Sequence, residues 1–339
     1  MRKPRKPLRP LAQTGALVNV IRTTWTESRE FQLPGAPAGR PFFQKETLSH
    51  AVDKLLAARD PLIQPAFQAL LGEIPLNTIT FDLAWEDPHR FGYLVTAANK
   101  RRAKATACWL LARNHQEFAA VVKAEHERLA ELHAADPDHA AEPLGGGFVY
   151  LPDRHKRPGM GREVPCYIVR WPEKAALMAA GNPSQLAVCS PTGARLMTRP
   201  DTERVRAGLA VLLVRAYLAM KGAALNLSLL RPADFAVARD RETGARPVLL
   251  GTRARDIQMP PGKFIRRLLG AAWETPHGPC PLMPAAPEAF HEALALAAGE
   301  ETAAAWIRVA FPAAGGWTGA ASSGHTRDYV ETLRSLMLE

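Results

Sequence analysis

The spacing of apolar residues changes between Thr78 and Trp171, and this change limits the possible folds more than any other feature of the sequence. Three runs rich in aromatic, Thr, Val and Ile residues come first: Thr78–Trp85, Phe91–Ala97 and Lys104–Arg113. Polar turns separate them, which predicts three antiparallel strands joined as a meander. From residue 116 to about 135 the apolar residues recur at helical spacing. Two more strand-like runs follow, at Phe148–Leu151 and Val164–Trp171, so the pattern predicts a five-stranded antiparallel sheet with one helix after its third strand.

The chain beyond Pro172 is predicted to be mainly helical. Thr202–Lys221 is dense in Leu, Val and Ala, as expected for a helix in the interior of a large domain. Two short apolar runs, Phe235–Ala238 and Pro247–Leu250, flank a turn-like segment and predict a hairpin. Further helices are predicted at Gly262–Trp273, Pro287–Phe311 and Thr326–Leu338. The fold class is therefore α+β.

Two regions precede the predicted sheet. Residues 1–44 are rich in Pro, Gly and basic residues and lack sustained periodicity, which predicts an extension. In residues 45–75 the apolar residues recur at helical spacing, and Pro61 and Pro65 interrupt them, which predicts a small helical segment. The expected organisation is a basic extension (1–44), a helical preface (45–75), a sheet-containing region (76–172) and a helical region (173–339).

Positive charge is concentrated near the N-terminus. The formal net charge is +10, and six basic residues precede the first acidic residue, Glu27. Five of them and the turn before the third strand define a candidate basic patch: Arg2, Lys3, Arg5, Lys6, Arg9, Lys100, Arg101 and Arg102. Such a patch binds phosphates or acidic surfaces electrostatically, and the alternative is a solvated, frayed terminus. Nucleic acid is therefore one partner class that the sequence admits.

No segment predicts a membrane span or a metal site. The most apolar long stretch, Ala207–Met220, is interrupted by Arg215 and is too short for a hydrocarbon layer of about 30 Å. The four cysteines lie far apart, and neither they nor the histidines show metal-ligand spacing. Reduced, partly buried thiols and a cytoplasmic location are expected.

The order of elements resembles protein kinases and aminoglycoside-phosphotransferase-like enzymes over residues of about 76 to 335. In that family a Lys near the end of the third strand holds nucleotide phosphates, and a Glu on the following helix pairs with it. Here the third strand ends in Arg113, and the helix presents Glu125 on its apolar stripe. A carboxylate on such a stripe is costly unless it is paired, so Arg113 is a candidate partner. The alternatives are Arg128, a lysine elsewhere, or a Glu125 that reaches solvent by snorkelling or fraying of the helix.

A second segment, Leu229–Val237, is similar to the family's catalytic loop, Asp-Leu-Lys-Pro-x-Asn followed by apolar residues. On that match Leu229 takes the place of the catalytic Asp, and Asp234 takes the place of the metal-binding Asn. The metal-binding Asp of the next motif is replaced by Gly251, and Asp256 follows a few residues later.

The turn between the first two strands, Glu86–His89, is acidic where the family has a glycine-rich loop over the phosphates. Phosphoryl transfer needs positioned metal ions, a phosphate-binding cation and an oriented nucleophile. The resemblance therefore implies a two-lobed kinase-like fold whose nucleotide-pocket-like residues, Arg113, Glu125, Asp234 and Asp256, carry no catalysis.

The chain is accordingly expected to be a pseudokinase-type binding or regulatory module that needs no cofactor and has another protein as its partner. Two alternatives remain open. One is a divergent phosphotransferase that uses Asp234 and Asp256. The other is a nucleic-acid-associated protein that acts through its basic tail and loops.

Overall fold

The computed structural model describes residues 44–45, 66–67, 69–70, 78–86, 90–98, 105–113, 116–152, 161–190, 193–240, 244–253, 257–275, 277–312 and 324–336. The chain divides into two compact units. The first includes residues 39–127 and 142–171, and the second includes residues 128–141 and 172–339. Asp256 and the whole candidate basic patch lie outside the described residues.

The first unit contains a six-stranded antiparallel sheet. Its strands are β1 (Gln44–Lys45), β2 (Thr78–Glu86), β3 (Arg90–Ala98), β4 (Ala105–Arg113), β5 (Pro143–Pro152) and β6 (Gly161–Arg170). The order across the sheet is β1-β2-β3-β4-β6-β5. The five predicted strands and the β2-β3-β4 meander are confirmed, and β1 adds a short edge strand that the sequence analysis did not predict.

The interior of this sheet is apolar on β4 and β6. Five consecutive residues of β4, from Cys108 to Ala112, are buried, and so are the six residues Val164–Val169 of β6. The indole of Trp109 lies against Gly92 on the neighbouring strand, where a Cβ atom would come within 2.3 Å of the ring. Glycine is therefore the residue that lets β3 and the Trp109 ring pack this closely.

A helix follows β4, as predicted. A 3₁₀ turn, Gln116–Phe118, leads into α1 (Ala119–Ala135). The buried residues Val122, Glu125, Leu129 and Leu132 recur at helical spacing along it. The helix ends at Ala135, two residues before Pro137, which lacks the backbone N–H that another turn would require.

Among the described residues, the second unit contains a five-stranded sheet, two two-stranded sheets, the C-terminal part of α1 and five further helices. Its elements are β7 (Ala176–Asn182), β8 (Gln185–Ser190), β9 (Gly193–Leu196), α2 (Arg199–Ala219), β10 (Ala223–Ala224), β11 (Phe235–Asp240), β12 (Gly244–Leu249), β13 (Ile257–Gln258), α3 (Pro261–Leu269), β14 (Ala272–Trp273), β15 (Cys280–Pro281), α4 (Pro287–Ala298), α5 (Glu300–Ala310) and α6 (Gly324–Ser335). The five-stranded sheet has the antiparallel order β12-β11-β7-β8-β9. The hairpin of β11 and β12 confirms the sequence prediction, whereas β7, β8 and β9 were not predicted.

Two of the predicted helices differ from those observed. The helix predicted over Pro287–Phe311 is two helices, because Gly299 between α4 and α5 has a φ of 85°, which a side-chain-bearing residue rarely adopts. The helix predicted over Gly262–Trp273 ends at Leu269, and the last two residues of the predicted range, Ala272 and Trp273, form strand β14. The fold class is mixed α+β, as predicted.

Aromatic packing anchors α2 to the helices that follow it. The rings of Tyr217 and Phe264 stack with centroids 4.2 Å apart, and Trp306 meets Tyr217 edge-on at 5.4 Å. The Tyr217 hydroxyl donates to the Met259 carbonyl oxygen at 2.8 Å. No helix within the described ranges has both the length and the apolar character that crossing a membrane requires.

Candidate functional site

In the first unit a buried carboxylate lies between two arginines. The Arg90 Nη2 atom donates to Glu125 Oε2 at 2.9 Å, and Arg113 Nη2 donates to Glu125 Oε1. The side chain of Glu125 is 0% exposed, that of Arg90 1% and that of Arg113 13%, so all three groups are shielded from bulk water. The predicted pairing of Arg113 with Glu125 is thus confirmed, and Arg128, the alternative partner, instead pairs with Glu131.

Strand register brings the two arginines together. Arg90 begins β3, Arg113 ends β4, and the two residues are direct cross-strand partners. Like charges directly opposite each other destabilise a sheet unless a counter-charge lies between them. Helix α1 begins six residues after β4 ends and supplies that counter-charge from Glu125. The sheet register and the position of the helix therefore determine the cluster jointly.

Arg90 is a member of this cluster that sequence reasoning missed. It precedes Glu125 by 35 residues and follows an acidic turn, so local spacing does not pair it with Glu125. The predicted meander did contain the necessary signal, because it places the start of the second strand opposite the end of the third. Two arginines directly opposite each other on neighbouring strands repel, and an anion shared between them relieves that repulsion.

The chemistry open to this cluster is limited. Glu125 is engaged by both guanidinium groups, and the cluster retains an excess of one positive charge. Arg113 is the more accessible cation, and its guanidinium carbon lies 5.4 Å from the centroid of the Phe118 ring. A guanidinium binds anions through a planar fork and does not reproduce the compact ammonium of a phosphate-binding lysine. The cluster therefore suits structural pairing better than nucleotide chemistry.

In the second unit Asp234 forms another buried ion pair. It closes the 3₁₀ turn Pro232–Asp234, and its side chain is 0% exposed. Asp234 Oδ2 accepts hydrogen bonds from the Arg231 backbone N–H and from Arg253 Nε, both at 2.8 Å. The carbonyl oxygen of Asp234 accepts from the Leu250 N–H at 2.7 Å, which fixes the turn against the segment that carries Arg253.

The Arg253 contact changes what Asp234 can do. A carboxylate at this position would attract a divalent cation, but a guanidinium that is itself only 11% exposed already neutralises it. Gly251, two residues before Arg253, is buried and offers no side-chain ligand. Within the described ranges, no group of three or more His, Cys, Asp or Glu residues is arranged to hold a metal ion.

The residue at the catalytic-base position of the resemblance, Leu229, lies in a separate turn just before Pro232–Asp234. Leu229 donates its backbone N–H to the Asn226 carbonyl oxygen at 2.8 Å, and its side chain cannot accept a proton from an attacking hydroxyl. The next residue, Leu230, is buried and accepts a hydrogen bond from Trp273 Nε1 at 3.2 Å. Backbone hydrogen bonds thus hold this segment in place, and the side chain at position 229 is not ionisable.

A third polar cluster explains the arginine inside the apolar helix α2. Arg215 Nη1 donates to Asp136 Oδ2 at 3.0 Å, and His139 Nδ1 lies 3.1 Å from both Asp136 oxygens. Burial alone would raise the pKa of Asp136. The hydrogen bonds and charges of His139 and Arg215 outweigh that effect, so the pKa lies below its ordinary value. This cluster joins the end of α1 to α2 within the second unit.

The cysteines offer no activated nucleophile. All four are free, and all four are buried, whereas the sequence analysis predicted partly buried thiols. Burial raises the pKa of Cys108 and of Cys189 to about 12, far above the pH at which a thiol becomes a nucleophilic thiolate.

The predicted site residues therefore fall into separate groups. Arg113 and Glu125 meet in the first unit, Asp234 meets Arg253 in the second, and Asp256 lies outside the described residues. No protein-family model matches the chain, and no curated protein sequence matches it.

Proposed function

We propose that this chain is a catalytically silent, kinase-like binding or regulatory module whose partner is another protein. The observation that carries the proposal is the 2.8 Å contact between Arg253 and the buried carboxylate of Asp234. In an active phosphotransferase of the family that the sequence resembles, a metal ion would be needed at that position. Here the chain's own guanidinium supplies the positive charge.

The order of elements in the first unit supports the kinase-like part of the proposal. Three meandering strands, a helix and two further strands form one antiparallel sheet, and the helix carries a glutamate paired to the end of the third strand. This is the arrangement that the resemblance implies. We extend this to the whole chain and propose that it has the two-lobed architecture of the kinase family.

Three positions in the second unit support the silent part of the proposal. Leu229 cannot act as a base, Gly251 cannot bind a metal, and Asp234 is neutralised by Arg253. Each loss removes a group on which positioning or charge stabilisation in phosphoryl transfer depends. Their combination favours binding over catalysis.

The first experiment measures nucleotide binding by calorimetry on the full chain with ATP and magnesium. We expect no magnesium-dependent heat of binding at micromolar protein. The matched control is Asp201→Asn, since Asp201 also pairs with an arginine, Arg239 at 3.0 Å, away from this turn. Magnesium-dependent micromolar binding that Asp234→Asn abolishes and Asp201→Asn preserves would overturn the proposal in favour of a divergent phosphotransferase.

The second experiment asks whether Arg253 occupies a cation position. Arg253→Ala removes the guanidinium that pairs with the Asp234 carboxylate at 2.8 Å, so the variant should be less stable and should gain thermal stability when magnesium is added. The wild type and the control Arg239→Ala, which breaks a more exposed pair, should show no such gain. If magnesium does not raise the thermal stability of Arg253→Ala, Arg253 does not occupy a cation position.

The nucleic-acid alternative rests on the basic patch, which lies outside the described residues. It makes a separate prediction: binding to duplex DNA should weaken steeply with salt, and deletion of residues 1–10 should reduce that dependence. No binding at about 50 mM salt would remove this alternative.

A further inference from the structure

The second unit contains a cavity of about 690 Å³ that the proposed function does not use. Its walls come from the start of α2, the end of α3, the chain after β15, and α6. The volume lies within the range of about 300 to 1,000 Å³ that is typical of sites for small organic ligands.

Most of the cavity wall is apolar. Leu269, Met283, Phe311 and Val330 line it together with several prolines. Such a surface favours a ligand with an apolar body, because transfer of that body out of water drives binding.

Several polar groups of the wall are already satisfied. Glu203 Oε1 accepts from Arg206 Nη1 at 2.7 Å, and Glu203 Oε2 accepts from the Ala285 backbone N–H at 2.8 Å. Arg206, which is buried, also donates to the carbonyl oxygens of Pro281 and Pro183 at 3.0 and 3.1 Å. These contacts neutralise the carboxylate and hold the Arg206 guanidinium in place.

Tyr329 is also engaged. Its hydroxyl lies 3.1 Å from the Pro284 carbonyl oxygen and 3.3 Å from that of Ala286, and it donates to this pair. Burial raises the pKa of Tyr329, and the charges of Glu203 and Glu288 raise it further, so the phenol stays protonated.

Two arginines of the wall have no carboxylate partner among the described residues. Arg199 is exposed, and Arg266 donates from Nη1 to the Ala310 carbonyl oxygen at 2.7 Å. Within the described part of the chain neither forms an ion pair with Asp or Glu. Because Glu203 and Arg206 cancel each other, the described residues of the cavity wall carry two more positive than negative charges.

We propose that this cavity binds a small amphipathic anion, which has an apolar body and one carboxylate or phosphate group. The body lies against the apolar wall, and the anionic group pairs with the guanidinium of Arg199, with Arg266 as a second donor. A planar guanidinium suits either anion because it donates two parallel hydrogen bonds. This inference depends only on the second unit and does not rest on the kinase-like proposal.

The test is calorimetry of the full chain with decanoate as the probe and 1-decanol as its neutral counterpart. Decanoate should bind with a stoichiometry of one and at least about tenfold more tightly than 1-decanol, since a charge-assisted pair is worth more than a neutral contact. Decyl phosphate in place of decanoate distinguishes a phosphate ligand from a carboxylate ligand, and tight binding of either supports the proposal.

Two substitutions locate the site. Arg199→Gln should weaken decanoate binding about tenfold, and Ala285→Trp should abolish it by filling the cavity from an exposed position. The matched controls are Arg267→Gln on α3 and Ala305→Trp on α5, both exposed and outside the cavity wall, which should bind as the wild type does. Equal binding of decanol and decanoate, unchanged binding in Ala285→Trp, or no binding by the wild type would each overturn the proposal.

Discussion

The buried ion pairs of Glu125 give the sharpest prediction for stability. In Glu125→Ala two guanidinium groups lose their shared counter-charge, and that of Arg90 is 1% exposed and cannot turn to water without local rearrangement. Breaking a buried ion pair by removing one partner costs about 3 to 5 kcal/mol, because it leaves an uncompensated charge in the interior. We expect a loss in that range for the free energy of unfolding of the first unit.

A matched control lies on the same helix. Glu127 is 61% exposed and pairs with Lys123 at 3.8 Å. Glu127→Ala should therefore cost less than about 0.5 kcal/mol, as exposed i,i+4 pairs usually do. Urea unfolding followed by tryptophan fluorescence and circular dichroism compares the two variants, and equal losses would refute the reasoning.

A double variant separates the charge from the packing. Removing Arg90 as well, in Arg90→Met with Glu125→Ala, eliminates the buried cation, and the remaining Arg113 is 13% exposed and can reach solvent. The double variant should be more stable than Glu125→Ala alone, since an interior without charges is often as stable as a paired one. A double variant less stable than the single one would show that packing, and not uncompensated charge, causes the loss.

Three further outcomes are expected. The pKa of Asp136 in the folded protein lies below its ordinary value of 3.8, so the ionised carboxylate stabilises the fold above that pH. Asp136→Asn should therefore be less stable than the wild type at neutral pH. In urea unfolding, this difference in stability should vanish as the pH falls through the pKa of the folded protein. Gly92→Ala should cost about 1 to 3 kcal/mol in thermal or urea unfolding because its Cβ would overlap Trp109, whereas Gly147→Ala, with open space around its Cβ, should cost far less. The buried thiols, including Cys108 with a pKa of about 12, should resist a thiol reagent at pH 8 and react once the chain is unfolded in urea, so rapid native labelling of Cys108 would contradict its burial.

The sequence predicted the first sheet well because its strands are rich in β-formers and are separated by polar turns. The residues around Phe91–Val95 and Cys108–Ala112 combine aromatic and aliphatic side chains with clear turn signals on either side. Glu125 stood out for a related reason, since it interrupts an apolar helical stripe and so demands a partner.

The strands β7 to β9 were missed because their sequence lacks such signals. Leu177, Met178 and Ala179 are consecutive and all buried, so no alternation of apolar and polar residues marks a strand. Alanine, glycine and asparagine in the same run are also poor strand formers. Strand β7 pairs with β11, which lies more than 50 residues later, and no local pattern reveals that pairing. Strands β8 and β9 extend the sheet from β7.

Arg253 was missed because its importance depends on an unsatisfied partner elsewhere. A basic residue just after a buried strand usually points into solvent. Only the burial of Asp234, 19 residues earlier, gives Arg253 its role. A search of the sequence for a counter-charge to each buried acid, and not only to Glu125, would have made Arg253 a candidate.

The interior position of β4 determines where amide hydrogens exchange slowly. This strand pairs with β3 along its whole length and with β6 over Cys108–Ala112, whereas β5 lies at the edge of the sheet. Each amide in the middle of β4 is held by one ladder while the other ladder keeps the strand in the sheet, so local opening should be rare and protection should approach that of global unfolding. Arg113 lies one residue beyond the doubly paired stretch, which means that the strand is free to fray at its end only if the contact with Glu125 breaks first.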